Sequence, residues 1–161
     1  MENHRTSNRT KTPNALRRIP NPMRQKPRWI NYNNKKAPIN PATGRYASTT
    51  NPNTWTTLTN ALRNSPKIGY VLGEGIGCID LDHCITKTGT LTEPAQQIVN
   101  YYPNNLIEIS PSGNGLHIWG LAEEMPGFKK SWHGQNIEFY STGRYITITG
   151  DIYQDGDLYP L

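Results

Sequence analysis

Apolar residues along this chain come in short runs, broken by Gly, Pro and Asn, and most runs alternate with polar positions at a period of two. Side chains on a strand point to opposite faces in turn, so this spacing predicts half-buried strands. The first is Arg28-Trp29-Ile30-Asn31-Tyr32. A loop over 33–44 follows, punctuated by Lys35, Lys36, Pro38, Pro41 and Gly44. Asn53 or Thr54 is positioned to cap a helix running to about Asn64, with Trp55, Leu58 and Leu62 on one face. Strands are predicted over 68–72 and 76–82, joined as a hairpin by the turn Gly73–Gly75. After a loop over 83–90, Thr92 caps a second helix, with Pro94 in its first turn and Ile98 and Tyr101 facing inward. Two strands over 106–110 and 115–120 flank the turn 111–114. Beyond a loop around Pro126 and Gly127, strands over 136–140 and 144–149 close the core. No internal repeat is visible. A strand-rich order with two helices predicts an α+β fold, its helices packed on a mostly antiparallel sheet.

Composition narrows the class. The chain has 161 residues, 34% of them hydrophobic, with 14 Gly and 13 Pro, which suits one domain with an ordered core and long polar loops. No apolar run approaches the roughly 20 residues that span a membrane, and the N-terminus lacks the apolar centre of a signal peptide. The expectation is therefore a soluble, cytoplasmic protein without membrane partners, in which Cys78 and Cys84 are free, packed thiols. Charge is uneven. Residues 1–45 hold 11 Lys and Arg against Glu2 alone, while the rest hold 6 against 11 acids. A basic front section before a carboxylate-bearing core is what a phosphate-backbone binder with a metal site would need. Residues 1–25 have little hydrophobic periodicity and read as a basic, flexible tail.

Three stretches carry candidate chemistry. In Ile76-Gly77-Cys78-Ile79-Asp80-Leu81-Asp82 the two acids project from one face of the strand while Ile79 and Leu81 pack on the other. Carboxylates on one face repel, and a hard divalent ion such as Mg²⁺ or Mn²⁺ relieves that repulsion; a strand end breaking into a solvated turn is the alternative. In Ser110-Pro111-Ser112-Gly113-Asn114-Gly115-Leu116-His117 small residues let backbone amides approach an anion, with His117 just inside the next strand as a donor to phosphate. A plain hairpin turn with a half-buried His reads equally from that stretch alone. In Ile137-Glu138-Phe139-Tyr140 and Ser141-Thr142-Gly143-Arg144-Tyr145, Glu138 is either a third carboxylate or a solvated strand position. Arg144 offers a guanidinium fork for phosphate and Tyr145 a flat ring for a sugar or base.

Taken in order, Asp-x-Asp, Ser-x-Gly-x-Gly-x-His and an apolar-flanked Glu resemble the catalytic core of archaeo-eukaryotic-type primases, in particular the primase-polymerase domains of phages and plasmids. Trp29, Tyr32, Lys36-Ala37-Pro38, Pro41, Gly44 and Thr54-Trp55 are similar to that family's front section, and Arg144-Tyr145 with Thr147 to Gly150 to its closing strand. The resemblance covers roughly 28–150 and implies an RRM-like sheet with flanking helices, so that residues 26–161 form the catalytic domain. It implies that Asp80, Asp82 and Glu138 hold two divalent ions, Mg²⁺ or Mn²⁺. It also implies that Ser110, Ser112, Gly113 and His117 meet the triphosphate with Arg144, that Tyr145 lies near the ribose, and that Lys36 meets template or nucleotide phosphate.

By the same resemblance the partners are a single-stranded DNA template, a primer and (d)NTPs. Members that start chains de novo usually carry a further helical segment and often a helicase, so a replicative helicase or a C-terminal helical/helicase domain absent from this chain is implied. The setting is the cytoplasm of a bacterial or archaeal host, with a phage or plasmid as the source. Lys35, Lys36, Arg45, Lys129, Lys130 and Trp132 are candidate nucleic-acid contacts by charge and stacking. Two other functions suit the residues: a non-catalytic single-strand or origin DNA-binding module, and a metal-dependent nuclease.

Overall fold

The computed structural model describes residues 16–161, whose elements include eleven short strands and three short helices. The strands are β1 Trp29–Tyr32, β2 Pro38–Ile39, β3 Ile68–Val71, β4 Ile76–Leu81, β5 Ile107–Ile109, β6 Leu116–Leu121, β7 Phe128–Trp132, β8 Gln135–Tyr140, β9 Tyr145–Ile148, β10 Ile152–Gln154 and β11 Tyr159–Pro160. The helices are α1 Asn21–Gln25, α2 Leu58–Asn64 and α3 Glu93–Asn100. Four strands form one sheet in the order β2-β1-β3-β9. A second runs β10-β5-β6-β4-β8-β7, with β11 pairing beside β6. Only the β6–β11 pairing is parallel. The architecture is α+β and mostly antiparallel, as the alternation predicts.

Pleating divides the larger sheet between two cores. Ile79, Leu81, Leu116, Ile118, Ile137 and Phe139 pack with Ala95 and Val99 of α3. Cys78, Trp119 and Tyr140 point the other way, into a cluster with Trp29, Ile68, Tyr70, Ile146 and Ile148 of the smaller sheet. Asp80, His117 and Glu138 alternate with the first set and so share the second face.

Several predictions from the pattern are corrected. Strands 68–72 and 76–82 do not make a hairpin: β3 lies between β1 and β9, while β4 lies between β6 and β8. A lone bridge from Gly73 to Ile76 turns the chain from one sheet to the other. The cap of α2 is Thr57, whose side chain accepts from the Asn60 amide, because residues 52–54 close a separate 3-10 turn and Trp55 donates to the Ser48 carbonyl. Tyr101 is 80% exposed, and Ala95 and Val99 are the buried positions of α3. The loop predicted over 33–44 contains β2, the loop predicted around Pro126 and Gly127 leads into β7, and two strands, β10 and β11, follow 149. Of the tail predicted over 1–25, residues 1–15 lie outside the described residues, whereas Ile19 and Met23 are buried in the core. Both cysteines are free and buried. No helix among the described residues is long and apolar enough to cross a membrane.

Candidate active site

Antiparallel pairing brings five polar side chains from five strands into one row. Glu108 of β5 faces His117 of β6, His117 faces Asp80 of β4, Asp80 faces Glu138 of β8, and Glu138 faces Lys129 of β7. Since every member sits at the same pleat, all five project from one face. His117 is the hinge of the row. Its Nδ1 lies 3.0 Å from Glu108 Oε1 and its Nε2 lies 3.9 Å from Asp80 Oδ1.

Beside this row opens a cleft of about 510 Å³. The larger sheet and its loops supply Asp80, Asp82, His83, Ser110, Ser112, Asn114 and His117. Across the opening stand Lys36, Thr49, Arg144, Tyr145 and Thr147. The acidic pair, the Ser/Gly turn with its His, and the Arg-Tyr pair therefore meet in one place although they are spread over more than sixty positions of sequence. Glu138 belongs to the row but is not among the lining residues. Gly113 and Lys35 do not line the cleft, and Arg45 is exposed away from it. Lys130 and Trp132 share the pleat of Ile137 and Phe139, and with them they line a second, apolar cavity of about 470 Å³ on the far side of the sheet. Lys129 alone of that cluster is on the row.

Local chemistry explains how each wall is held. Ser110 Oγ accepts from the Gly115 amide and lies 3.0 Å from Ser112 Oγ, and Ser112 donates to Asn114 Oδ1 at 2.6 Å. The turn closes tightly because position 115 has no side chain: a Cβ there would fall 2.7 Å from the Leu81 carbonyl. Opposite, Tyr145 stacks with Tyr32 at 6.2 Å and donates its hydroxyl to the Lys36 carbonyl. Its ring rests where a Cβ on Gly69 would lie 2.4 Å away, so glycine in β3 makes room for it. Burial and the neighbouring Tyr32 push the Tyr145 phenol up to about 12, which keeps it a neutral donor. The Arg144 guanidinium lies 4.0 Å over the Tyr140 ring.

Burial raises the pKa of Asp80, and the negative charges of Asp82 and Glu138 add to it against the opposing pull of His117 and Arg144. Glu138 moves the other way. Burial works against its charge, but the Tyr140 hydroxyl at 2.7 Å and the Lys129 ammonium at 3.1 Å hold its carboxyl below the usual range. His117 would be lowered by burial, yet the hydrogen bond and charge of Glu108, with Asp80, raise it. Hard carboxylate oxygens at Asp80 and Asp82, destabilised by their own repulsion, suit Mg²⁺ or Mn²⁺. Glu138 is engaged by Lys129, however, and no group of three or more His, Cys, Asp or Glu among the described residues is arranged to hold a metal ion.

Sequence reasoning missed Glu108, His83 and Asn114. Glu108 had a signal, since Ile107-Glu108-Ile109 repeats the apolar-acid-apolar pattern of Ile137-Glu138-Phe139. His83 follows Asp82 directly, turns into the cleft at a left-handed φ of 48°, and contacts Asn114 at 3.3 Å.

No family model matches the chain. Over 141 residues, 80% of its length, it is 32% identical to a DNA primase-polymerase of Nitratiruptor phage NrS-1, and it spans 19% of that protein.

Proposed function

On that match the chain is assigned to the primase-polymerase family, and from that premise we propose that it is a template-dependent nucleotidyltransferase that synthesises primers or extends DNA. The observation that carries this reading is the meeting of Asp80, Asp82, His117, Ser110, Ser112, Arg144 and Tyr145 in one cleft. A triphosphate needs cationic and small-residue contacts on one side and hard oxygen ligands on the other, and the cleft offers both.

In this reading His117, Ser112 and the turn around Gly113 meet the phosphates, Arg144 adds a planar cationic contact, and Tyr145 stands beside the sugar. Lys36, at the rim, meets template or nucleotide phosphate. Asp80, Asp82 and Glu138 would hold two divalent ions, Mg²⁺ or Mn²⁺, which when bound activate the attacking hydroxyl and neutralise the leaving phosphates. Glu138 then exchanges its Lys129 partner for that role. The substrates are a single-stranded DNA template, a primer and (d)NTPs. Lys35, Arg45, Lys129, Lys130 and Trp132 are candidate nucleic-acid contacts outside the cleft, and a helicase or helical domain is the partner for initiation. The setting is a phage or plasmid in a microbial cytoplasm, with residues 26–161 as the catalytic unit.

A second reading, a DNA-binding module without catalysis, draws on two observations: Lys129 pairs with Glu138, and no three-ligand group is preformed among the described residues. The two separate in a primer-extension assay on single-stranded DNA with Mn²⁺ or Mg²⁺ and both nucleotide types. The wild type extends the primer and the Asp80→Ala/Asp82→Ala variant does not, a loss of at least about a hundredfold. Metal-independent DNA binding with no incorporation by the wild type would leave only the binding module. Degradation of labelled DNA without nucleotides would expose a nuclease.

A further inference from the structure

Glu108 is 2% exposed, is absent from the cleft lining, and no step proposed above uses it. A buried carboxylate must be fully hydrogen-bonded to be tolerated, and this one is. Its Oε2 accepts from the Thr149 amide at 3.0 Å, the Thr149 hydroxyl at 3.1 Å and the Gly150 amide at 3.2 Å. Its Oε1 faces His117 Nδ1 at 3.0 Å. The three donors beyond β9 thus clamp one oxygen and aim the other at the imidazole. Carboxylate oxygens only accept, so Nδ1 is the donor of that bond and Nε2 is the nitrogen turned toward Asp80 and the cleft. His117 is itself 4% exposed, which leaves the ring little freedom to turn once Nδ1 is engaged.

We infer that Glu108 is a positioning residue: clamped by Thr149 and Gly150, it fixes the His117 ring so that Nε2 meets the phosphates of a bound nucleotide. The inference rests on the proposed role of His117 at the triphosphate, and it extends the site to a side chain one strand further from the cleft. The same row accounts for the geometry, since Glu108, His117 and Asp80 are successive cross-strand partners.

The test is Glu108→Gln in the full chain. The Thr149 and Gly150 donors keep the Gln carbonyl oxygen on their side, which turns the amide NH₂ toward Nδ1 and makes that nitrogen an acceptor. The ring hydrogen bond is thereby inverted without loss of volume. With Nδ1–H held by a carboxylate, the ring meets phosphate as an imidazolium whose Nε2–H donates, so we expect the ¹⁵N shifts of His117 in the variant, recorded without nucleotide or metal, to show Nδ1 stripped of its proton. We expect the dissociation constant for dATP with Mg²⁺ to rise roughly tenfold, the order for a charge-assisted hydrogen bond. His117→Ala, measured alongside, tests the underlying role of the imidazole, and Thr149→Ala removes one of the three clamping donors while leaving the carboxylate in place. Weaker dATP binding in His117→Ala and Glu108→Gln, with a smaller loss in Thr149→Ala that leaves Nδ1 protonated, supports the inference. Unchanged ¹⁵N shifts in Glu108→Gln overturn it whatever the nucleotide result. So does weakening by His117→Ala but not by Glu108→Gln. Wild-type affinity in His117→Ala removes the imidazole from the phosphate site, overturns the phosphate half of the inference, and identifies the role of His117 as the part that failed.

Discussion

Asp80 sits where folding works against its charge. Burial, Asp82 and Glu138 all raise its pKa from the ordinary 3.8, and His117 and Arg144 do not cancel them. For a carboxyl whose folded value is raised, ionisation is less favourable in the folded chain than in the unfolded one. Stability is therefore lost as pH rises from the unfolded value through the folded one, and the loss persists above it. Asp80→Asn removes the group that ionises. Thermal melts without divalent ions should show the variant more stable than wild type by a few degrees at pH 7 and equal to it near pH 2.5. A lower melting temperature at pH 7 would mean that the contacts of Asp80 with His117 and Arg144 outweigh its repulsion. At this scale the acids and His117 were legible because each sits in a short run whose alternation predicts its face. For Glu108 the same alternation signals the face but not the role, because its partners Thr149 and Gly150 lie about forty positions away.

Among elements, β7 departs most from the hydrophobic pattern. Phe128–Trp132 reads as a polar loop, yet it pairs along its whole length with β8 and forms the edge of the larger sheet. An edge strand has one solvated side and tolerates charge, so Lys129 and Lys130 do not forbid it. Its consequence is the ion pair between Lys129 and Glu138, with Lys129 70% exposed. A cation at a proposed metal ligand competes with the metal. Lys129→Ala should therefore tighten Mn²⁺ binding, by up to about fivefold for a pair with one exposed partner, as read by titration calorimetry on protein free of nucleotide. Unchanged or weaker binding would show that Glu138 is not a ligand in competition with Lys129. The failure of the β3–β4 hairpin is of the same kind. Two apolar runs around a Gly-rich turn look alike whether they pair together or enter different sheets, and the choice depends on distant partners: β9 for one and β6 with β8 for the other.

For the whole molecule, the core takes in chain that composition assigns to the tail. Ile19 is 3% exposed and Met23 fully buried, and Trp29 donates its indole N–H to the Met23 carbonyl. Deleting 1–25 removes two core side chains at about 2–5 kcal/mol each and should unfold or severely destabilise the protein in urea titrations. A shorter deletion, of residues 1–15, removes Arg5, Arg9 and Lys11. If they contact template, the logarithmic salt slope of single-stranded DNA binding falls by about 2. An unchanged slope would place the phosphate contacts in the body. The cleft is likewise a property of the whole, since Lys36, Arg144 and Tyr145 reach it from one side and Asp80, Ser112 and His117 from the other.

By itself the chain determined what neighbouring residues decide: the α+β class, the inward and outward faces of most strands, and the acidic pair, the glycine turn and its His. These follow from a period of two and from the steric needs of small residues, which act over a few positions. Tertiary structure alone decided the split into two sheets, the row from Glu108 to Lys129 and the meeting of three motifs in one cleft. Strand register links residues far apart in sequence, and the packing that selects it is shared by both sheets.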